Sequence, residues 1–107
     1  MLSAIPGISV VDDIPGSQGT WPYFLVLMPT RESRDSALHV LWQAGLGVSR
    51  LFIHALPDYP YFTSYFDNAQ TPNARDFAAR TLTITNSPWL EERDFMRINA
   101  ILEEQVV

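Results

Sequence analysis

The side chains best suited to chemistry lie in one stretch, VSRLFIHALPDYPYF, which runs from Val48 to Phe62. Its first part, VSRLFIHAL, is rich in β-formers and predicts a strand over residues 48–55. Side chains alternate between the two faces of a strand, so Arg50, Phe52 and His54 are expected to share one face. The residues that follow are turn-rich and aromatic, which indicates an irregular loop with room for one helical turn.

This arrangement offers a candidate ligand-binding surface. Guanidinium and imidazole groups beside aromatic rings suit an anionic or sugar ligand. The candidate substrate-binding residues are Arg50, His54, Tyr59 and Tyr61. In the plainer interpretation, Arg50 pairs with a surface acid and His54 merely ends the strand, and the spacing alone favours it.

Other kinds of site find little support in the residue pattern. The two histidines, His39 and His54, lack ligand spacing and there is no cysteine, so no metal site is predicted. No G-x-S-x-G elbow is present, and Ser49 and His54 would point to opposite faces of the strand. The GLG at 45–47 precedes a strand and is better interpreted as a helix stop than as a phosphate loop. No carboxylates pair convincingly for acid–base work, so no catalytic residue is predicted.

Composition narrows the class of protein further. A chain of 107 residues is enough for one domain. All seven positive residues are arginines spread along a chain of net charge −5, so nucleic-acid binding is not expected. No apolar run is long enough to span a membrane, and the N-terminus lacks the basic residues of a secretory signal. A cytoplasmic location is therefore expected, while the absence of cysteine leaves the redox compartment open.

The remaining pattern predicts an α+β domain over 21–107, preceded by a linker-like coil over 1–20 that is punctuated by Pro-Gly pairs. Helix caps are expected at Thr30 and Ser87, and a helix stop at Gly45. Strands are predicted over 23–28, 48–55 and 81–85, and helices over 31–44, 73–80 and 88–105. This order predicts a three-stranded sheet with helices packed on one face.

Taken in order, several segments resemble a known family. They are IPGI, WPYFLVL, ALHVLWQAGLGVSRLF and ARDFAARTLTITNSPWLEERDFMRINAIL. Together they are similar to the C-terminal small domain of the DegT/StrS sugar aminotransferases, whose fold is like that of aspartate aminotransferase. The matching positions include Ala44-Gly45-Leu46, Arg50, FIHALP, Ala74, Arg80, Leu82, Pro88, Asp94 and Ile98. The turn before the last helix departs from the family pattern at Thr85, Ser87 and Glu91.

The resemblance implies a pyridoxal phosphate enzyme that aminates nucleotide-linked sugars, typically for cell-surface polysaccharides, and that forms dimers. The cofactor forms a Schiff base with a lysine, and this chain has none. By itself it is therefore expected to bind no cofactor and to transaminate nothing.

Three interpretations follow. The chain is the small domain of a sugar aminotransferase, made as a fragment, as a split subunit or from a truncated gene. Arg50, His54 and Tyr59 or Tyr61 would then line the substrate side of a cleft that the large domain completes. Alternatively, it is a stand-alone binding or regulatory module that self-associates to cover apolar surface. An independent small enzyme is the least supported, because no catalytic constellation is present.

Overall fold

Four short strands and three helices make up the part of the domain that the structure describes. The structure, a computed structural model, describes residues 2–66 and 70–106. The strands are β1 (Ser9–Val10), β2 (Tyr23–Leu27), β3 (Val48–Ser49) and β4 (Thr81–Thr85), and the helices are α1 (Arg31–Gln43), α2 (Pro72–Arg80) and α3 (Glu92–Gln105). Short 3₁₀ turns occur at Leu2–Ala4, Leu56–Asp58 and Thr63–Tyr65. In the part of the chain that is described, no helix is long and apolar enough to cross a membrane.

The strands form one antiparallel sheet in the order β1-β2-β4-β3. The mixed helix-and-sheet class is confirmed, but the prediction of three strands was wrong. The fourth strand is β1, in which Ser9 pairs with Leu27 and Val10 with Val26. Two residues are too few to display the alternation from which strands are recognised in a sequence.

The core lies between one face of this sheet and the helices. One row of side chains crosses the sheet from Val10 through Val26 to Leu82, because these positions are paired in register. Helix α1 packs against both α2 and α3. Helix α3 contributes Ile98 and Leu102, which lie four residues apart on one face of the helix and are both fully buried.

The segment 1–20, predicted as linker-like coil, is partly built into this core. Ile5 and Ile8 are buried there, and β1 extends the sheet. Residues 2–10 are thus packed against the domain, whereas residues 11–20 form no helix or strand. The proposed boundary at residue 20 remains a prediction.

Local capping explains how the first long helix is bounded. Thr30 Oγ1 accepts a hydrogen bond from the Ser33 backbone N–H, and Ser33 Oγ accepts one from the Thr30 N–H. After the helix, Gly45 takes a φ of +75°, a left-handed conformation that glycine adopts without penalty. The predicted cap and stop of α1 are confirmed.

The start of the last helix was predicted wrongly. Helix α3 begins at Glu92 with Glu91 as its cap, four residues later than the predicted start at residue 88. Ser87 instead opens a turn in which its carbonyl accepts from the Leu90 N–H at 3.1 Å. The Asp94 carboxylate accepts a hydrogen bond from the Glu91 N–H at 2.9 Å, so this acidic helix start competes successfully with the Ser-Pro signal.

The strand predicted over 48–55 ends after two residues. Leu51 has a φ of +60°, and the Phe52 N–H donates to the Arg50 carbonyl at 2.7 Å, which closes a tight turn. Alternation therefore stops at Ser49. The predicted common strand face of Arg50, Phe52 and His54 does not exist.

A buried arginine joins α1 to the junction between α2 and β4. Arg34 is 0% exposed, and its Nη1 donates to the Ala78 carbonyl at 2.9 Å and the Thr81 carbonyl at 3.0 Å. Its Nε donates to Asp35 at 2.7 Å. Carbonyls at the end of a helix lack partners within the helix, so Arg34 satisfies one of those of α2. Helix α2 is thereby held where its side chains face the segment after β3.

Candidate functional site

A small cleft lies where the segment after β3 faces α2 and the start of α1. We call it the arginine cleft, and its volume is about 270 Å³. It is lined by Arg31, Arg50, Ile53, His54, Ala55, Asp58, Arg75, Ala78 and Ala79. Three of the seven arginines of the chain thus converge on one place, although they are far apart in sequence.

The wall of the cleft is fixed by an ion pair between Asp58 and Arg75. Arg75 Nε donates to Asp58 Oδ2 and Nη2 to Oδ1, both at 2.7 Å, in the two-pronged geometry favoured by guanidinium and carboxylate. The hydrogen bonds from Arg75, and then its charge, hold the pKa of the Asp58 carboxyl below its usual value against the opposing effect of burial. The same contact raises the pKa of Arg75. The pair ties the 3₁₀ turn at Leu56–Asp58 to helix α2.

Arg50 enters the cleft from the tight turn at Leu51. Its Nη2 lies 3.4 Å from the Ile53 carbonyl, which is long for a hydrogen bond. Its Nε is buried and has no hydrogen-bond partner among the described residues. A buried donor without a partner is costly, so a native structure that keeps one calls for an explanation.

His54 also faces a second, more apolar pocket of about 390 Å³ beside the arginine cleft. Tyr59 lines this pocket and packs edge-on against the imidazole, with 5.2 Å between ring centroids. Phe52 and Phe77 close another side of it, 6.3 Å apart. An aromatic pocket next to a cationic cleft can receive a ligand with an apolar or ring portion and an anionic portion.

The structure therefore brings three of the four candidate residues together and leaves one apart. Arg50 and His54 line the arginine cleft, and His54 and Tyr59 line the aromatic pocket. Tyr61 lines neither of these cavities, and it is 85% exposed. The binding of substrate by these residues remains a prediction.

Sequence reasoning missed two arginines and an aspartate of the cleft. Arg31 opens helix α1 and Arg75 lies in α2, so only the packing of these helices brings them near Arg50. Asp58 lies within the candidate stretch 48–62, but its partner Arg75 lies 17 residues further along the chain. An aspartate in a turn and an arginine on a nearby helix are too common to predict such a pair.

A larger cavity of about 490 Å³ lies at the N-terminal edge of the sheet. Leu2, Val10, Trp21 and Phe24 contribute to its lining, and Asp12 is the one ionisable group among its lining residues. Its apolar lining offers little for polar chemistry. The arginine cleft is thus the better candidate, although it is smaller.

Solved structures share this fold. A crystal structure of DesV from S. venezuelae in complex with a ketimine intermediate superposes with a TM-score of 0.75 at 21% sequence identity. The match covers 98% of this chain and 28% of DesV, so the chain spans less than a third of that protein. At this identity the similarity defines a fold, an antiparallel α+β unit found within DesV. A search of curated proteins found no match.

The family follows from the sequence itself. The DegT/DnrJ/EryC1/StrS aminotransferase family model matches residues 1–103, nearly the whole chain. The chain belongs to this family, as its resemblance to DegT/StrS enzymes predicted.

The residues present do not fit the family's cofactor, pyridoxal phosphate. The cofactor is held as an imine of a lysine amine, and this sequence contains no lysine. The cationic groups of the arginine cleft are guanidiniums, which remain protonated and are not used for imine formation. No step of transamination is therefore assigned to the side chains of this chain.

Proposed function

We propose that the chain is the small domain of a sugar aminotransferase and forms one side of a substrate cleft. A lysine-bearing large domain, on the same or a separate polypeptide, would bind the cofactor. Arg50, His54 and Tyr59, with Tyr61 at the rim, would contact a nucleotide-linked sugar. Biosynthesis of cell-surface polysaccharide is the expected setting.

The observation that carries this proposal is the exposed aromatic surface beside the arginine cleft, which we call the aromatic face. It consists of Phe52, Ile53, Leu56, Tyr61, Phe62 and Tyr65, each of which exposes a large part of its side chain. Exposed apolar side chains concentrated in one short segment are typical of interaction sites in soluble proteins. Its position next to the cleft would let one partner both cover the face and complete the site. The match to 28% of DesV supports a part of a larger protein, and 107 residues is an ordinary size for one domain.

The same face supports the alternative of a self-associating binding or regulatory module. Two copies could cover each other's aromatic faces without any large domain. The two candidates differ in what covers the surface, and this difference can be measured. A homodimer through another surface remains compatible with the small-domain proposal.

The test combines the chain with a lysine-bearing large domain encoded beside it, either as a fusion protein or as a mixture of two purified proteins. The measured quantity is amino transfer to a nucleotide-linked sugar. Activity is expected only when both parts are present. Phe62→Ser and Tyr65→Ser should weaken association, because they remove apolar contact area from the aromatic face. Trp89→Ser is the matched control, since Trp89 is 89% exposed in the turn before α3, outside this face.

Association that is equally strong in the face variants and the control would contradict the proposal. A chain that dimerises through the aromatic face and recruits no large domain would establish the alternative. A chain that transaminates alone would overturn both. Pyridoxal phosphate also forms an imine with a free α-amino group, so cofactor absorbance alone does not identify a lysine imine. Borohydride reduction fixes the imine, and mass spectrometry then locates the modified residue.

A further inference from the structure

We propose that the arginine cleft binds a phosphate-type dianion, held by Arg31, Arg50 and Arg75. Of these, only Arg50 was a candidate from the sequence. The inference rests on the proposed function, because Arg50 and His54 belong both to the arginine cleft and to the proposed substrate-binding surface. It adds the class of ligand group that this part of the site takes.

The charge of the arginine cleft favours an anionic ligand. Three guanidiniums and one carboxylate, Asp58, line the cleft, which gives two excess positive charges. Asp35, which lies 3.7 Å from Arg31, does not cancel this excess, because it is also paired with the buried Arg34. The whole chain has a net charge of −5, which makes this cleft an exception within an acidic molecule. Two excess positive charges match a dianion.

The three guanidiniums keep hydrogen-bond donors that the described residues leave unused. Among the residues that the structure describes, Arg50 Nε is buried without a partner and Nη2 makes only the long contact to Ile53. Arg31 Nε lies 3.7 Å from Asp35 Oδ2, beyond hydrogen-bond distance, while the other oxygen of Asp35 accepts from Arg34 at 2.7 Å. Arg75 uses Nε and Nη2 for Asp58, which leaves Nη1. Each arginine can thus donate to a ligand.

The placement of the three guanidiniums favours phosphate over carboxylate. The three guanidiniums come from the start of α1, the turn after β3 and the middle of α2. A carboxylate presents two oxygens in one plane and is satisfied by one guanidinium, as Asp58 is by Arg75. A tetrahedral anion presents three or more oxygens in different directions and can engage donors from three elements.

Size limits the ligand further. Sites for drug-sized ligands commonly occupy about 300–1,000 Å³, and this cleft has about 270 Å³. The cleft therefore accommodates a phosphate or diphosphate group, and the rest of a larger ligand would extend out of it, towards the aromatic pocket.

The test is calorimetric titration of the 107-residue chain with inorganic pyrophosphate at low ionic strength. Saturable binding is expected, and Arg50→Met and Arg31→Met should each weaken it about tenfold by removing charge-assisted hydrogen bonds. Arg93→Met changes the net charge equally, but Arg93 lies in α3, pairs with Glu91 and is 78% exposed. This control should change the affinity less than about twofold, because exposed distant charges are screened.

Three results would overturn the inference: no saturable binding, equal weakening by all three substitutions, or tighter binding of succinate than of pyrophosphate. Equal weakening would indicate general electrostatics, and a preference for succinate would indicate a carboxylate site. Arg31 is exposed at the first turn of its helix, so Arg31→Met should fold even if Arg50→Met does not. The titration needs no large domain, so its failure is distinct from a failure of domain association.

Discussion

Replacing the buried Arg34 by methionine tests the packing that positions the arginine cleft. The substitution keeps an unbranched apolar stem but removes the hydrogen bonds to Ala78 and Thr81, at 2.9 and 3.0 Å. Both residues are buried, so their carbonyls would lose a partner that water cannot readily replace. Helix α2 would lose its anchor to α1.

The size of the effect follows from these contacts. Each buried carbonyl left without a partner costs about 1–3 kcal/mol. Removing the guanidinium also removes the cost of burying its charge, and the half-exposed Asp35 can be hydrated afterwards, which offsets part of the loss. The net destabilisation expected is about 3 kcal/mol. For a domain of this size that corresponds to a melting temperature lower by roughly 10–20 °C.

Urea unfolding followed by circular dichroism measures this difference directly. The midpoint should fall while the slope of free energy against urea stays the same, since the surface exposed on unfolding is unchanged. Arg93→Met is the control and should stay within about 0.5 kcal/mol of the parent, because Arg93 is exposed. An Arg34→Met variant within about 1 kcal/mol of the parent would refute the role given to Arg34.

Three further substitutions test the local features on which the fold depends. Thr30→Ala removes the side-chain cap of α1 and should lower the free energy of unfolding by about 1 kcal/mol in urea titrations, whereas Thr20→Ala, in coil, should have little effect. Gly45→Ala should cost about 1–2 kcal/mol because of its φ of +75°, since no atom lies near the added Cβ; an unchanged midpoint would exclude backbone strain there. The lowered pKa of Asp58 means that its pairing stabilises the fold above the unfolded pKa near 3.9 and that this contribution is lost as pH falls through the folded pKa. The parent should therefore lose more stability than Asp58→Asn between about pH 5 and pH 2, and parallel pH profiles of the two proteins would contradict the pairing.

The parts of the fold that sequence predicts are those specified by short-range signals. Thr30 and Gly45 mark the ends of α1 because their effects depend on the adjacent backbone alone. The alternation in TLTIT gives β4 over 81–85, as the structure has it. Each of these signals lies within a few residues of the feature it predicts.

The errors arise where a local signal meets a competing one or a tertiary contact. The run after Val48 has strand composition, yet Leu51 adopts a left-handed conformation that nothing in its residue type predicts. Ser87 and Pro88 form a good helix start, but Glu91 with Asp94 forms a better one. Local propensity cannot decide between such alternatives.

The sequence predicted only part of the candidate site, because the rest of the site depends on tertiary packing. Arg50, His54 and Tyr59 belong to one stretch and could be proposed together. Arg31 and Arg75 join them only through the packing of α1 and α2, which in turn depends on the buried Arg34. An arginine destined for burial is not distinguishable in the sequence from one at the surface.

The central claim is that this chain supplies the substrate-binding side of a sugar aminotransferase, and one affinity tests it most directly. The measurement is the dissociation constant of the nucleotide-linked sugar for the chain assembled with its large domain, with and without Arg50→Ala. The account predicts binding weaker by about tenfold or more, because a charge-assisted hydrogen bond is lost. Arg93→Ala should leave the dissociation constant unchanged. Equal affinity of the parent and Arg50→Ala would contradict the account.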